Sequence, residues 1–190
     1  MRVIDLDRIW FLVGIFSIAM IGFVEAGSVP EVGMSLEIAP KLDITVPARA
    51  ASGSTKVEAT ITLENVGLGD LWINGRMLLN TAYAPRSARE LWLEVEGPES
   101  KKIEFECKVR AGAAKPQDYV LLRPGEKKQV HVNLSDCFNL RDRGTYTIYA
   151  NYEDGSDSIP QAPRNGVHLR QHLRSHPAVI EIVPEPSLVR

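Results

Sequence analysis

Val57, Ala59, Ile61 and Leu63 alternate with Glu58, Thr60, Thr62 and Glu64. Successive side chains of an extended chain point to opposite sides, so a period of two with one apolar face predicts a half-buried strand. Asn65 and Gly67 end it. The pattern returns at Leu91, Leu93 and Val95, stopped by Gly97 and Pro98. It returns again at Ile103, Phe105, Cys107 and Val109, with Lys102, Glu104, Glu106 and Lys108 in the alternate places, which puts Cys107 on a core-facing side. After the turn at 123–126 come Val130, Val132 and Leu134, then Tyr146, Ile148, Ala150 and Tyr152, and finally Ala178, Ile180 and Ile182. A first strand at 36–46 is interrupted by Pro40, which suits an edge strand or one that changes sheets. Beyond residue 26 no stretch keeps a helical period over three turns. Seven or so short strands with turn signals between them predict an all-β, antiparallel sandwich.

Around Gly144 and Tyr146 the chain enters a strand beside the core. A tyrosine there can bury its ring and return its hydroxyl to upstream backbone, as the tyrosine corner of immunoglobulin-like sandwiches does; an ordinary strand tyrosine is the alternative. A leucine, proline, glycine and acid (Leu122, Pro124, Gly125, Glu126) precede one strand, and a Leu134-Ser135 step leads on to Gly144, Thr145 and Tyr146. With the strand that ends at Gly67, this pattern over 57–153 resembles the immunoglobulin-like β-sandwich that precedes the catalytic domain in bacterial deuterolysin-like zinc metallopeptidases, and free-standing exported proteins of similar pattern. The resemblance implies an accessory or binding domain. The peptidase itself is missing, since no HExxH occurs in the chain.

Residues 9–24 are apolar without a single charge, between Arg2 and Arg8 on one side and the small-x-small site Val24-Glu25-Ala26 on the other. Charge to orient, an apolar run to enter the translocon and small residues for the peptidase describe a secretory signal peptide over 1–26. Sixteen apolar residues fall short of the ~20 that cross a bilayer, although a retained anchor is the alternative. A single domain then occupies 27–190. Its charges nearly cancel, with 20 Lys and Arg against 21 Asp and Glu, so nothing electrostatic favours nucleic acid as a partner. The two cysteines, Cys107 and Cys137, lie in the exported part and read as one disulfide, the alternative being two buried thiols.

No phosphate-binding glycine loop and no GxSxG nucleophile elbow is present. Glu94 with Glu96, and Glu104 with Glu106, are two apart on strands, which makes each pair a charged outer surface rather than an acid–base couple. The run 151–157 has oxygen ligands near a glycine but lacks the spacing and terminal glutamate of a calcium loop. Asn133 is a glycosylation acceptor only in a host that glycosylates.

Three of the four histidines fall in one segment, His168, His172 and His176, with Arg170 and Arg174 between them and Arg164 before them. In a helix His168 and His172 would share one face, as zinc-binding pairs do. In an extended chain His168, Arg170, His172, Arg174 and His176 would share one face, with Leu169 and Leu173 opposite. No acidic residue occurs from 158 to 180, and two arginines repel a dication, so no metal is expected. The expectation is a mobile surface connection whose histidines lack a carboxylate partner and whose charge follows pH; it either binds something anionic or stays solvated.

Together these features describe an exported, periplasmic or secreted, non-catalytic binding or accessory module of the cell envelope, with no cofactor. Its expected partner is an envelope protein or an anionic polymer, not nucleic acid, and it meets the membrane only through the signal segment before cleavage. The rivals are a peptidase inhibitor or detached pro-domain, and an enzyme of unrecognised type whose residues meet only in space. Mass spectrometry of the protein purified from its host should place the N-terminus within a residue or two of Gly27; protein still carrying Met1 in the membrane fraction would refute this.

Overall fold

The computed structural model describes residues 38–54, 56–86, 89–109, 112–155 and 166–184. The signal segment over 1–26 and Arg164 lie outside the described residues. Nearly all the regular structure among the described residues is β, with one turn of α-helix, α1 (Leu134–Cys137), and two single turns of 3-10 helix.

Two sheets form the sandwich. The first has β1 (Pro40–Thr45), β3 (Glu58–Asn65) and β9 (Lys127–Asn133) in the order β1-β3-β9, all antiparallel. The second runs β2-β13-β10-β6-β5, from β2 (Arg49–Ala51), β13 (Ala178–Val183), β10 (Gly144–Tyr152), β6 (Leu91–Glu96) and β5 (Leu79–Asn80). The inner faces are the ones the alternation predicts. Ala59, Ile61 and Leu63 of β3 are fully buried, as are Tyr146, Ile148, Ala150 and Tyr152 of β10 and Ile180 of β13. Each large apolar side chain so buried contributes roughly 1.5–3 kcal/mol, and together they hold the sheets face to face. This is an immunoglobulin-like β-sandwich.

Pro40 is the first residue of β1, an edge strand where no ladder N–H is required. The change of sheet comes later, past Pro47, where β2 pairs parallel with β13. The tyrosine corner is present. The Tyr146 ring is buried and its hydroxyl donates to the Asp142 carbonyl at 2.9 Å. Gly144 begins the strand with φ +134°, and a Cβ there would stand 2.7 Å from Pro98 Cγ, so the turn that follows β6 packs directly on the start of β10.

Six of the seven predicted strands form as such; the one at 103–109 does not. Only β7 (Lys102–Ile103) pairs with β6, after a turn in which Glu99 and Ser100 both take positive φ, 61° and 60°. Two-residue hairpin turns of that hand favour Asn-Gly, because a Cβ crowds the backbone there. Beyond Ile103 the chain leaves β6. Phe105 bridges to Phe138 and the Glu106 N–H donates to the Cys137 carbonyl at 2.9 Å. The alternation survives without the ladder, with Phe105, Cys107 and Val109 half-buried and Glu104, Glu106 and Lys108 exposed. Cys107 and Cys137 form a disulfide that fastens this crossing.

The pattern does not predict the shorter strands. β4 (Leu71–Asn74) and β8 (Tyr119–Leu122) pair antiparallel and prolong the β3–β9 ribbon past a break in both chains. Asn65 secures that break from a buried position, donating to the carbonyls of Gly69 (2.7 Å) and Leu122 (2.9 Å) and accepting from the Gly67 N–H (3.1 Å). On the other chain Pro124 and Gly125, φ +81°, form a turn closed by the Glu126 N–H on the Arg123 carbonyl. β11 (Val167–His168) adds to β4 in parallel, and β12 (Leu173–Arg174) to β10.

The disulfide joins residues 30 apart, and in the chain-entropy account a loop of that size stabilises the fold by about 3–4 kcal/mol. Thiol labelling of unfolded, unreduced protein should find no free cysteine. Urea unfolding of the Cys107→Ser, Cys137→Ser double variant should show a loss near that size; a loss under 1 kcal/mol would mean the crossing is held by packing alone.

Candidate functional site

The segment from His168 to His176 is neither a helix nor a single extended face. It makes two short pairings, β11 against β4 and β12 against β10, and so lies across two sheets. The expected mobile connection is therefore an ordered surface element. Leu169 is buried in the core, Leu173 packs against it, and the buried Ser175 hydroxyl accepts from the Ala150 N–H at 2.9 Å. These contacts bind the segment to the sandwich at three points.

The expectation that its histidines lack a carboxylate partner is also corrected. His168 Nε2 lies 2.6 Å from Asp154 Oδ2, with the two side chains only 12% and 3% exposed. Arg170 Nε can only donate and meets His168 Nδ1 at 3.3 Å, so Nδ1 accepts and the Nε2 proton goes to Asp154. The ring also stands edge-on to Tyr119, 5.6 Å between centroids. Asp154 comes from the run that resembled a calcium loop, fourteen positions upstream and just beyond the end of β10. Its neighbour Glu153 pairs with Arg86 and Arg89.

His172 serves a different surface. Trp92 and Glu94 of β6 and Tyr149 and Asn151 of β10 alternate with core residues, so they project from the outer face of the second sheet. The His172 ring stacks on Trp92 at 5.0 Å and 17°, and the Arg89 guanidinium lies 5.4 Å from the same indole. Under this cover Trp92 is only 5% exposed. Buried Asn151 accepts from His172 Nε2 at 3.0 Å and donates to Glu94 at 3.3 Å. Glu94 in turn pairs with Arg174 at 2.8 Å, and that guanidinium sits 4.1 Å over the Tyr149 ring. Cation–π contacts at exposed sites contribute roughly 0.5–1 kcal/mol each, enough to orient the arginines without removing them from solvent. Arg170, His172, Arg174 and His176 remain exposed. The outcome is a surface on which Arg89, His172 and Arg174 are braced by Trp92, Asn151, Glu94 and Tyr149.

The histidines do not gather around one point, and among the described residues no group of three or more potential metal ligands occurs. Asn133 is occupied as well, accepting from the Val57 N–H and donating to Asp136. Sequence reasoning missed Trp92, Asn151, Asp154 and Ser175, the residues that organise the segment. The alternation on β6 and β10 assigns Trp92 and Asn151 to the outer face, and the oxygen-rich run 151–157 contains Asn151 and Asp154, but nothing in the sequence ties either to the histidines.

Behind His168 lies a desolvated polar cluster joining β4 and β8 to the second sheet. Glu90, 2% exposed, pairs with Arg76 and accepts from the Leu78 N–H at 3.0 Å. The hydrogen bond that Arg76 donates to Glu90 favours the charged guanidinium and raises its pKa. Arg76 also reaches the carbonyl of Gly112 at 3.2 Å and lies 3.6 Å from Asp118. The Tyr152 hydroxyl accepts from the Asn74 N–H at 2.9 Å. Burial, reinforced by the nearby Asp154 carboxylate, raises the Tyr152 pKa well above its ordinary value.

No protein-family model matches the sequence, and no curated protein is similar to it. Among solved structures the chain is similar to the CARDB domain of the PF1109 protein from Pyrococcus furiosus, in a crystal structure in complex with di-metal ions: 12% identity and a TM-score of 0.39 over 79% of this chain and 97% of that one. It is also similar to the solution NMR structure of that domain, with 12% identity and a TM-score of 0.36 over 77% of this chain and 97% of that one. Both are CARDB domains, and the resemblance to peptidase-associated domains stays with the sequence pattern.

The raised Tyr152 pKa has a signed consequence. Its stabilising contribution is complete below about pH 10, where the unfolded tyrosine is also protonated. Above that the unfolded chain sheds a proton that the fold retains, so stability falls as pH rises toward the folded value. Tyr152→Phe should cost about 1–3 kcal/mol at pH 7, by leaving the buried Asn74 N–H unpaired. Its deficit against wild type should then shrink by about 1.4 kcal/mol per pH unit above 10. Urea denaturation across pH 7–11 checks this; a constant deficit would refute it.

Proposed function

We propose that this chain is an exported, non-catalytic β-sandwich acting as a binding or accessory module of the cell envelope, and that it meets an anionic partner through the outer face of β6, β10 and β12. One observation carries the reading: His172 and Arg174 of the 168–176 segment are seated on that face, while Arg170 and His176 stay exposed on the same segment. Arg174 is braced by Glu94 and Tyr149, and His172 by Trp92 and Asn151. Cations already fixed in place lose little freedom when a partner arrives, which is what a recognition surface requires.

Export is supported by the uncharged run at 9–24 and by a disulfide, which persists in oxidising compartments. The non-catalytic reading is supported by how the histidines are used. His168 has both ring nitrogens engaged, by Asp154 and Arg170, and His172 is stacked flat on an indole. A general base needs a ring nitrogen directed at a substrate proton.

The test is binding of poly-L-glutamate, as an anionic polymer, to the protein purified from its host, at 50 and 300 mM NaCl. Binding should weaken at least tenfold between those salts. The Arg170→Gln, Arg174→Gln double variant should weaken it at least fivefold at the lower salt. Binding that ignores salt, or that the double variant leaves unchanged, would sink the assignment of this face.

A further inference from the structure

At the free edge of the second sheet, β5 covers Leu91 and Trp92 of β6, and β7 covers Val95 and Glu96. Between them, over Leu93 and Glu94, the edge opens into a cleft of about 330 Å³ bounded by residues 81–83 on one side and 100–105 on the other. That is a volume of the order that small ligands and single side chains fill. The cleft exists because the chain leaves β6 after Ile103 to reach Phe138, a departure fastened by the disulfide. Its floor is apolar, with Leu93 and Ile103 nearly buried and Phe105 half-buried. Tyr83 stands on the rim 76% exposed. An aromatic ring left in water beside an apolar floor is a surface still to be covered.

The rim is acidic. Glu94, Glu96 and Glu104 line it against a single cation, Lys102. Glu94 is taken by Arg174 on the outer face, whereas Glu96 makes no ion pair among the described residues. Lys102 shows what the cleft does with a cation. Its ammonium lies 5.2 Å over the Tyr83 ring, 2.9 Å from the Tyr83 hydroxyl and 3.5 Å from Glu104. A phenol oxygen and a carboxylate thus converge on one point at the hydroxyl end of the ring, and a lysine of the chain itself occupies it. Glu99 and Ser100 hold this rim in a backbone conformation that neither residue favours.

We infer that this cleft binds an extended peptide segment bearing a basic side chain next to an apolar one. The basic group is received by Tyr83, Glu96 and Glu104, displacing Lys102 or sitting beside it, and the apolar neighbour covers Leu93 and Phe105. Charge complementarity selects this occupant: an anionic ligand would meet the carboxylates, and an uncharged one would leave Glu96 uncompensated. The site borders the cationic face of the second sheet, sharing Glu94 with it, but takes a ligand of opposite sign at Tyr83, Glu96 and Glu104, so each assignment has its own test.

The test uses the isotope-labelled protein and two acetylated, amidated tripeptides, Leu-Arg-Leu and Leu-Glu-Leu, followed by amide chemical shifts. The basic peptide should shift amides at 81–83, 93–96 and 100–105 with a millimolar Kd, and the acidic one should not. Tyr83→Ala and the Glu96→Gln, Glu104→Gln double variant alter exposed side chains, so the fold should persist while each weakens binding at least fivefold. Lys127→Gln, exposed on β9 of the first sheet, should leave the tripeptide affinity unchanged. Equal response to both peptides, shifts confined to other residues, or an affinity unmoved by Tyr83→Ala would overturn the inference.

Discussion

Strand β10 must satisfy two environments at once, and the rest of the molecule is arranged by how it does so. Its inner side chains, Tyr146, Ile148, Ala150 and Tyr152, are fully buried in the sandwich core. Its outer ones include Tyr149 and Asn151, on which the basic segment is laid. With a period of two, a one-residue slip would exchange these sets, exposing the core and burying the polar face, so the register is set by both sides together. The tyrosine hydroxyls extend the control to both ends. Tyr146 fixes the entry through the Asp142 carbonyl, and Tyr152 secures the far end to Asn74 of β4.

The covalent staple follows a different logic from that of antibody domains, in which the second cysteine of the inter-sheet disulfide stands two residues after the corner tyrosine. Ile148 occupies that place here and packs in the core. The disulfide ties instead a stretch whose inward residues are only half-buried and which has lost its ladder to β6. A bond at that point keeps the chain from returning to β6, and the same departure opens the cleft beside Tyr83.

Polar groups removed from water link the prolonged ribbon to the second sheet. Glu90 with Arg76, Asp154 with His168, and Asn74 with Tyr152 each satisfy groups that would otherwise be buried at a cost of several kcal/mol. Such pairs add little net stability compared with apolar packing, but they tolerate few alternative arrangements. They fix where β11 meets β4, and so where the basic segment begins its path across the sandwich.

The residue order by itself determined six of the seven long strands and their inward faces, and it pointed to the pairing of Cys107 with Cys137 and to the tyrosine corner, each with one alternative that the structure decided. Each depends on local periodicity or on a count of two, and burial of one face is decided by every second side chain whatever the partner strand. Strands of two to four residues were not legible, because β4, β8, β11 and β12 are too short to show a period and exist only through their neighbours. The histidine segment shows the same limit. Its own stretch contains no acid, so it reads as an unpartnered cationic loop. Asp154 and Glu94, far away along the chain, reach His168 and Arg174 only after β10 has paired with β6 and β12. The charge environment of a side chain is set by distance in space, and only the tertiary structure decided those distances.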